Sequence, residues 1–125
     1  MAAQRPGADP FEIFIRPDGI ATMQWIVPSL ITLELANAIV AAFDRVSGGL
    51  PVRFLLDTED TRGMDRDART RLRQATNVLA LALIVKSSFS RVLANFFIGF
   101  NKPAYPIQLF NTEAEAVAWL RGLPR

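Results

Sequence analysis

Val78-Leu-Ala-Leu-Ala-Leu-Ile-Val85 runs for eight residues without a polar side chain. A strand wetted on one face alternates apolar and polar residues, so an unbroken run of this length reads as a strand covered on both faces. That is the mark of a parallel sheet packed between helices. A buried helix is the rival reading, but the short length and the β-branched Ile-Val end favour a strand. Upstream, Val52-Arg-Phe-Leu-Leu56 is a second short strand ending at Asp57. Downstream, residues 105–110 form a last strand with Pro106 at its start or on an edge, because proline cannot donate to a ladder. At the front, Phe11-Glu-Ile-Phe-Ile-Arg16 alternates and Pro17-Asp18-Gly19 supplies turn chemistry. Residues 20–27 return as the second arm of a hairpin.

Helices fill the intervals. Thr32 is a cap with Glu34 near the positive helix end; Leu35, Ala36, Ile39, Val40, Phe43 and Val46 recur at helical spacing, and Gly48-Gly49 stops the run. Residues 58–64 read as a polar loop. Asp65 is an N-cap for a helix over residues 66–75 with a thin apolar stripe of Ala68, Leu72 and Ala75. Ser88 caps a helix whose face is Phe89, Val92, Leu93, Phe96, Phe97 and Phe100. Thr112-x-x-Glu115 is a capping box, with Ala116, Trp119 and Leu120 inward and Gly122 and Pro124 closing the helix. The order ββαβαβαβα predicts an α/β fold in a single domain, a mostly parallel sheet with an N-terminal hairpin. The domain spans residues 11–125, preceded by a flexible tail over residues 1–10.

Composition narrows function more by exclusion than by assignment. The 125 residues suit one domain. With no His and no Cys, the chain alone builds no zinc site, no Ser-His-Asp triad and no Cys-His nucleophile. Fourteen cations against twelve acids leave +2, too small an excess for nucleic-acid binding despite a pI near 9.7. Between residues 57 and 73, Asp57, Glu59, Asp60, Asp65 and Asp67 meet Arg62, Arg66, Arg69, Arg71 and Arg73. The N-terminal residues hold no apolar signal core, and residues 78–100 are interrupted by Lys86 and Arg91, short of the ~20 apolar residues that span a bilayer. A cytoplasmic location is the expectation.

The element order resembles the STAS domain, the fold of bacterial anti-sigma-factor antagonists. Ser88-Phe-Ser-Arg-Val-Leu-Ala-Asn-Phe-Phe97, Asn101-Lys-Pro103, Pro106-Ile-Gln-Leu-Phe110 and Glu113-Ala-Glu-Ala-Val-Ala-Trp-Leu120 look like small actinobacterial STAS-like proteins, an uncharacterised group. The resemblance implies a regulatory or interaction module. In partner-switching STAS proteins a Ser or Thr opens the helix after the third strand and is phosphorylated, and the added charge remakes a partner interface. The matching stretch here is Gly63-Met64-Asp65-Arg66-Asp67-Ala68, with Asp65 or Arg66 in the acceptor place and no hydroxyl. Thr58, Thr61 and Thr70 are the neighbouring hydroxyls, with Thr58 and Thr61 the weak modification candidates.

Arg66, Arg69 and Arg73 form an i, i+3, i+7 stripe that, with Asp65, is the candidate partner surface for another protein or for a second copy as a homodimer. The surface-helix reading instead pairs Asp67 with Arg71. The carboxylates at 57–67 lie where open α/β sheets bind ligands, but the interleaved arginines favour a solvated loop over a metal site. Phe14, Met23 and Trp25 are expected on one hairpin face. No catalytic residue, cofactor or metal is expected, and the function expected is a non-enzymatic interaction domain. The alternative is a small-molecule or lipid-binding pocket of CRAL-TRIO type beneath the helix at residues 89–100.

Overall fold

A computed structural model describes residues 9–74, 77–87 and 105–123. β1 (Phe11–Ile15) and β2 (Ala21–Trp25) form the expected antiparallel hairpin, with Phe14 opposite Thr22 and Ile15 opposite Ala21. Gly19, at φ 86°, takes the left-handed turn position, and its N–H donates to Arg16 O at 2.9 Å. β4 (Val52–Asp57), β6 (Val78–Ile84) and β7 (Ile107–Phe110) add in parallel, so the sheet order is β1-β2-β4-β6-β7. The expected α/β fold with a mostly parallel sheet and a leading hairpin is what forms. β6 is interior, with β4 on one side and β7 on the other, which is why its sequence carries no polar residue.

Three helices are described. α1 (Leu33–Ser47) starts at Thr32, whose hydroxyl accepts from Leu35 N–H, and ends at left-handed Gly48. α2 (Arg66–Arg73) starts at Asp65, and α3 (Glu113–Gly122) at Thr112, which accepts from Glu115 N–H. Three of the four caps read from the sequence, Thr32, Asp65 and Thr112, are those used, and the fourth, Ser88, lies outside the described residues. α2 ends at Arg73, two residues before the expected end. The phenylalanine-rich helix expected at residues 89–100 lies outside the described residues.

The two sheet faces build separate cores. On one, Met23, Phe43, Phe54, Leu81 and Leu83 pack beneath α1 and α2, with the Phe43 and Phe54 rings 4.9 Å apart. On the other, Ile20, Leu55, Ala80, Ala82 and Ile84 meet Ala116 and Leu120 of α3. The alanines of β6 let α3 approach closely. Its position over β4, β6 and β7 leaves the same face of β1 and β2 without a covering helix among the described residues.

Three expectations need correction. Residues 58–64 are not wholly a loop: β3 (Ser29–Ile31) and β5 (Thr61–Met64) form a short parallel ladder, Leu30 opposite Gly63 and Ile31 opposite Met64. A Cβ at Gly63 would come within 2.9 Å of Leu30 Cδ1, so the glycine leaves room for the Leu30 side chain to lie over β5. Phe14 does not share a face with Met23 and Trp25, because its register partner Thr22 alternates with Met23. Met23 is buried, whereas Phe14 is exposed. Arg71, paired with Asp67 in the surface-helix reading, donates instead from Nε to Asn37 Oδ1 of α1 at 2.9 Å.

Tyr105, the only tyrosine, donates its hydroxyl proton to Leu72 O at 3.2 Å and is buried. Burial raises its pKa to about 12, with the nearby Arg73 cation working the other way. The folded pKa thus exceeds the unfolded value of 10, so this contribution is complete below pH 10 and is lost as pH rises toward about 12. Alkaline titration at 295 nm is expected to show phenolate appearing near pH 12 or together with unfolding. Tyr105→Phe should remove that linkage.

Candidate functional site

The carboxyl ends of the central parallel strands, where open α/β sheets present their sites, carry the residues singled out above. β4 ends in Asp57, whose Oδ1 accepts from Glu59 N–H at 2.9 Å and whose Oδ2 pairs with Lys86 Nζ at 3.2 Å. That hydrogen bond and the Asp57 charge raise the Lys86 pKa, so Lys86 stays cationic throughout the physiological range. Asp57 is thus held by a lysine from the end of β6, not by the arginines that follow it in sequence.

Thr58 and Thr61 are buried, and their hydroxyls serve the fold. Thr58 Oγ1–H donates to Ile84 O at 2.8 Å, and Thr61 Oγ1 accepts from Trp25 Nε1–H at 2.8 Å. A kinase would reach either hydroxyl only after local opening. β5 then leads into the cap: Asp65 N–H donates to Ile31 O at 3.0 Å while its carboxylate accepts from Ala68 N–H at 2.8 Å. Asp65 thus places a carboxylate at the start of α2, within the stretch matched to the STAS phosphoacceptor region. Asp65→Ala is expected to cost about 1 kcal/mol and Asp65→Ser only a few tenths, read from urea denaturation midpoints.

The arginine stripe divides. Arg66 is exposed, whereas Arg69 and Arg73 are half-buried, and Arg73 lies close enough to Tyr105 to act on its ionisation. Asp65 and Arg66 therefore lie together at the exposed start of α2, while Arg73 lies near the buried Tyr105.

The most distinctive feature of this end was not singled out in the sequence. Ile26 (63% exposed), Val27 (50%), Leu30 (53%) and Leu33 (40%) occupy one short segment linking β2 to α1. The β3–β5 ladder sets Leu30 beside Gly63, and the Asp65–Ile31 hydrogen bond ties the segment to the start of α2. An apolar strip and the exposed Arg62 and Arg66 thus lie side by side. The readable signal was Pro28, which ends β-pairing and strands its apolar neighbours outside either core pattern.

Beneath α1 and α2 lies an apolar cavity of about 80 Å³, lined by Met23, Ile39, Phe43, Phe54, Leu83 and Tyr105 among others. The lipid or small-molecule pocket expected beneath the helix at residues 89–100 lies outside the described residues. Among the described residues, no group of three Asp or Glu side chains is placed to hold a metal ion, and no helix is long and apolar enough to cross a membrane.

This architecture is SpoIIAA-like, and so STAS-like. The chain resembles an uncharacterised protein of the DUF3478 family with a SpoIIAA-like fold from Shewanella loihica PV-4. The TM-score is 0.61 at 19% identity, covering 88% of this chain and 93% of that one. A protein of unknown function from Arthrobacter sp. FB24 is 27% identical over 86% of this chain and 90% of its own, with a TM-score of 0.34. Residues 13–123 match the domain of unknown function DUF7793, and the chain belongs to that family. No curated protein matches the sequence.

Proposed function

We propose that this chain is a non-enzymatic STAS-like interaction domain that binds a protein partner through the strip at residues 26–33 and the adjoining start of α2. The observation that carries this reading is the concentration of exposed apolar side chains in one segment beside Arg62 and Arg66. Scattered surface leucines need no explanation, but a contiguous apolar patch with a charged rim is what interfaces present. The chemistry fits a partner offering an apolar ridge flanked by carboxylates. Asp65 in place of a hydroxyl makes the surface constitutive: its charge is not added by a kinase.

The small-molecule alternative rests only on the apolar cavity beneath α1 and α2, with no polar group singled out to orient a ligand. The test is charge reversal and apolar replacement at the strip, with binding to the natural partner measured alongside circular dichroism. Loss of binding by a folded variant supports the reading; unchanged binding overturns it.

A further inference from the structure

We propose that β1 is also a self-association edge, at which two copies of this chain pair antiparallel about Phe14 and join their sheets into one. Among the described residues β1 has β2 as its sole strand neighbour. Arg16 N–H donates to Ile20 O at 2.9 Å, so by antiparallel alternation Glu12, Phe14 and Arg16 turn their backbone groups toward β2. Phe11, Ile13 and Ile15 turn theirs outward. An apolar edge strand with outward N–H and C=O groups is a template for another strand. Pro10 and Pro17 bracket this edge and confine any added ladder without interrupting it.

The strand's own sequence selects both the occupant and the register. A two-fold axis through Phe14 sets Ile13 opposite the second copy's Ile15 and Glu12 opposite the second copy's Arg16, each twice over. Ile13 and Ile15 then form hydrogen-bonded pairs from the groups that already point outward. Phe14 meets its own copy in a non-hydrogen-bonded pair, where side chains approach most closely. Phe14 and Ile15, 40% and 39% exposed, are the large apolar residues that β1 leaves open, and this register covers both. Glu12 is exposed, and Arg16 reaches Asp18 and Glu113 at 3.3 and 3.0 Å. A guanidinium has five donors, enough to take one further carboxylate. Moving the axis to Ile13 would set Glu12 against Phe14 and forfeit the charge match. The strip at residues 26–33 adjoins only the Pro10 end of this edge, where Ile26 N–H donates to Pro10 O at 2.7 Å, and the pairing about Phe14 is tested without the partner invoked above.

The absence of native cysteine makes the register directly testable. Under mild oxidation Phe14→Cys is expected to cross-link as a dimer, since a non-hydrogen-bonded antiparallel pair falls within disulfide reach. Glu12→Cys is expected to stay monomeric under the same conditions, its copies being roughly 13 Å apart along the ladder. Both sites are exposed, so both variants keep the fold, checked by circular dichroism. Sedimentation of the natural chain from micromolar to several hundred micromolar should show a reversible dimer, and Glu12→Arg should raise its Kd about tenfold. A chain that stays monomeric throughout, a Kd indifferent to Glu12→Arg, or cross-linking equal at positions 12 and 14 would overturn the proposal.

Discussion

Leu120→Ala is expected to lower the unfolding free energy by about 3 kcal/mol and the melting temperature by roughly 10 °C. Leu120 is fully buried in α3, the helix that covers Leu55, Ala80, Ala82 and Ile84. The alanines of β6 have no reach with which to refill the lost volume, so the cavity persists and its cost adds to the lost transfer energy. A domain of this size typically holds 5–15 kcal/mol in total, so such a loss takes a large part of it. Leu50→Ala, at an exposed position, is the control and should change stability by no more than about 0.5 kcal/mol. Chemical denaturation of the two variants checks the pair.

The second large effect concerns binding. Leu30→Asp combined with Arg66→Glu is expected to weaken partner binding by 100-fold or more while leaving the fold intact. Interface energy concentrates in a few central residues, and this pair replaces an apolar anchor and reverses the charge beside it. Folding should survive because both residues are exposed and the register partner of Leu30 is a glycine. Leu50→Asp, exposed but distant in the chain from the strip, should bind as the natural chain does. Isothermal titration against the purified partner, with melting temperatures measured in parallel, separates lost binding from lost structure.

Much of the fold was legible because its determinants are local. The apolar run at β6, the turn at residues 17–19 and the caps Thr32, Asp65 and Thr112 each state their structure within a few residues. The β3–β5 ladder was not legible, because strands of three and four residues containing a glycine show no period. The site was legible only in part. Asp65 caps α2 and Arg66 opens it, as the local cap signal predicts. Thr58 and Thr61 carried the polarity of loop residues, and only the long-range bonds to Ile84 and Trp25 show why they are buried. Arg69 and Arg73 share a helical stripe with Arg66, yet periodicity cannot say which neighbour a stripe faces. The strip at residues 26–33 escaped for a similar reason: apolar residues read as core until the tertiary fold leaves them outside it.

Native mass spectrometry of the chain gently purified from its own cells, alongside Leu30→Asp/Arg66→Glu, tests the central claim most directly. The account predicts a complex of protein mass that the natural chain retains and the double variant loses. A reproducible adduct of lipid mass on both, with no protein partner on either, would contradict it.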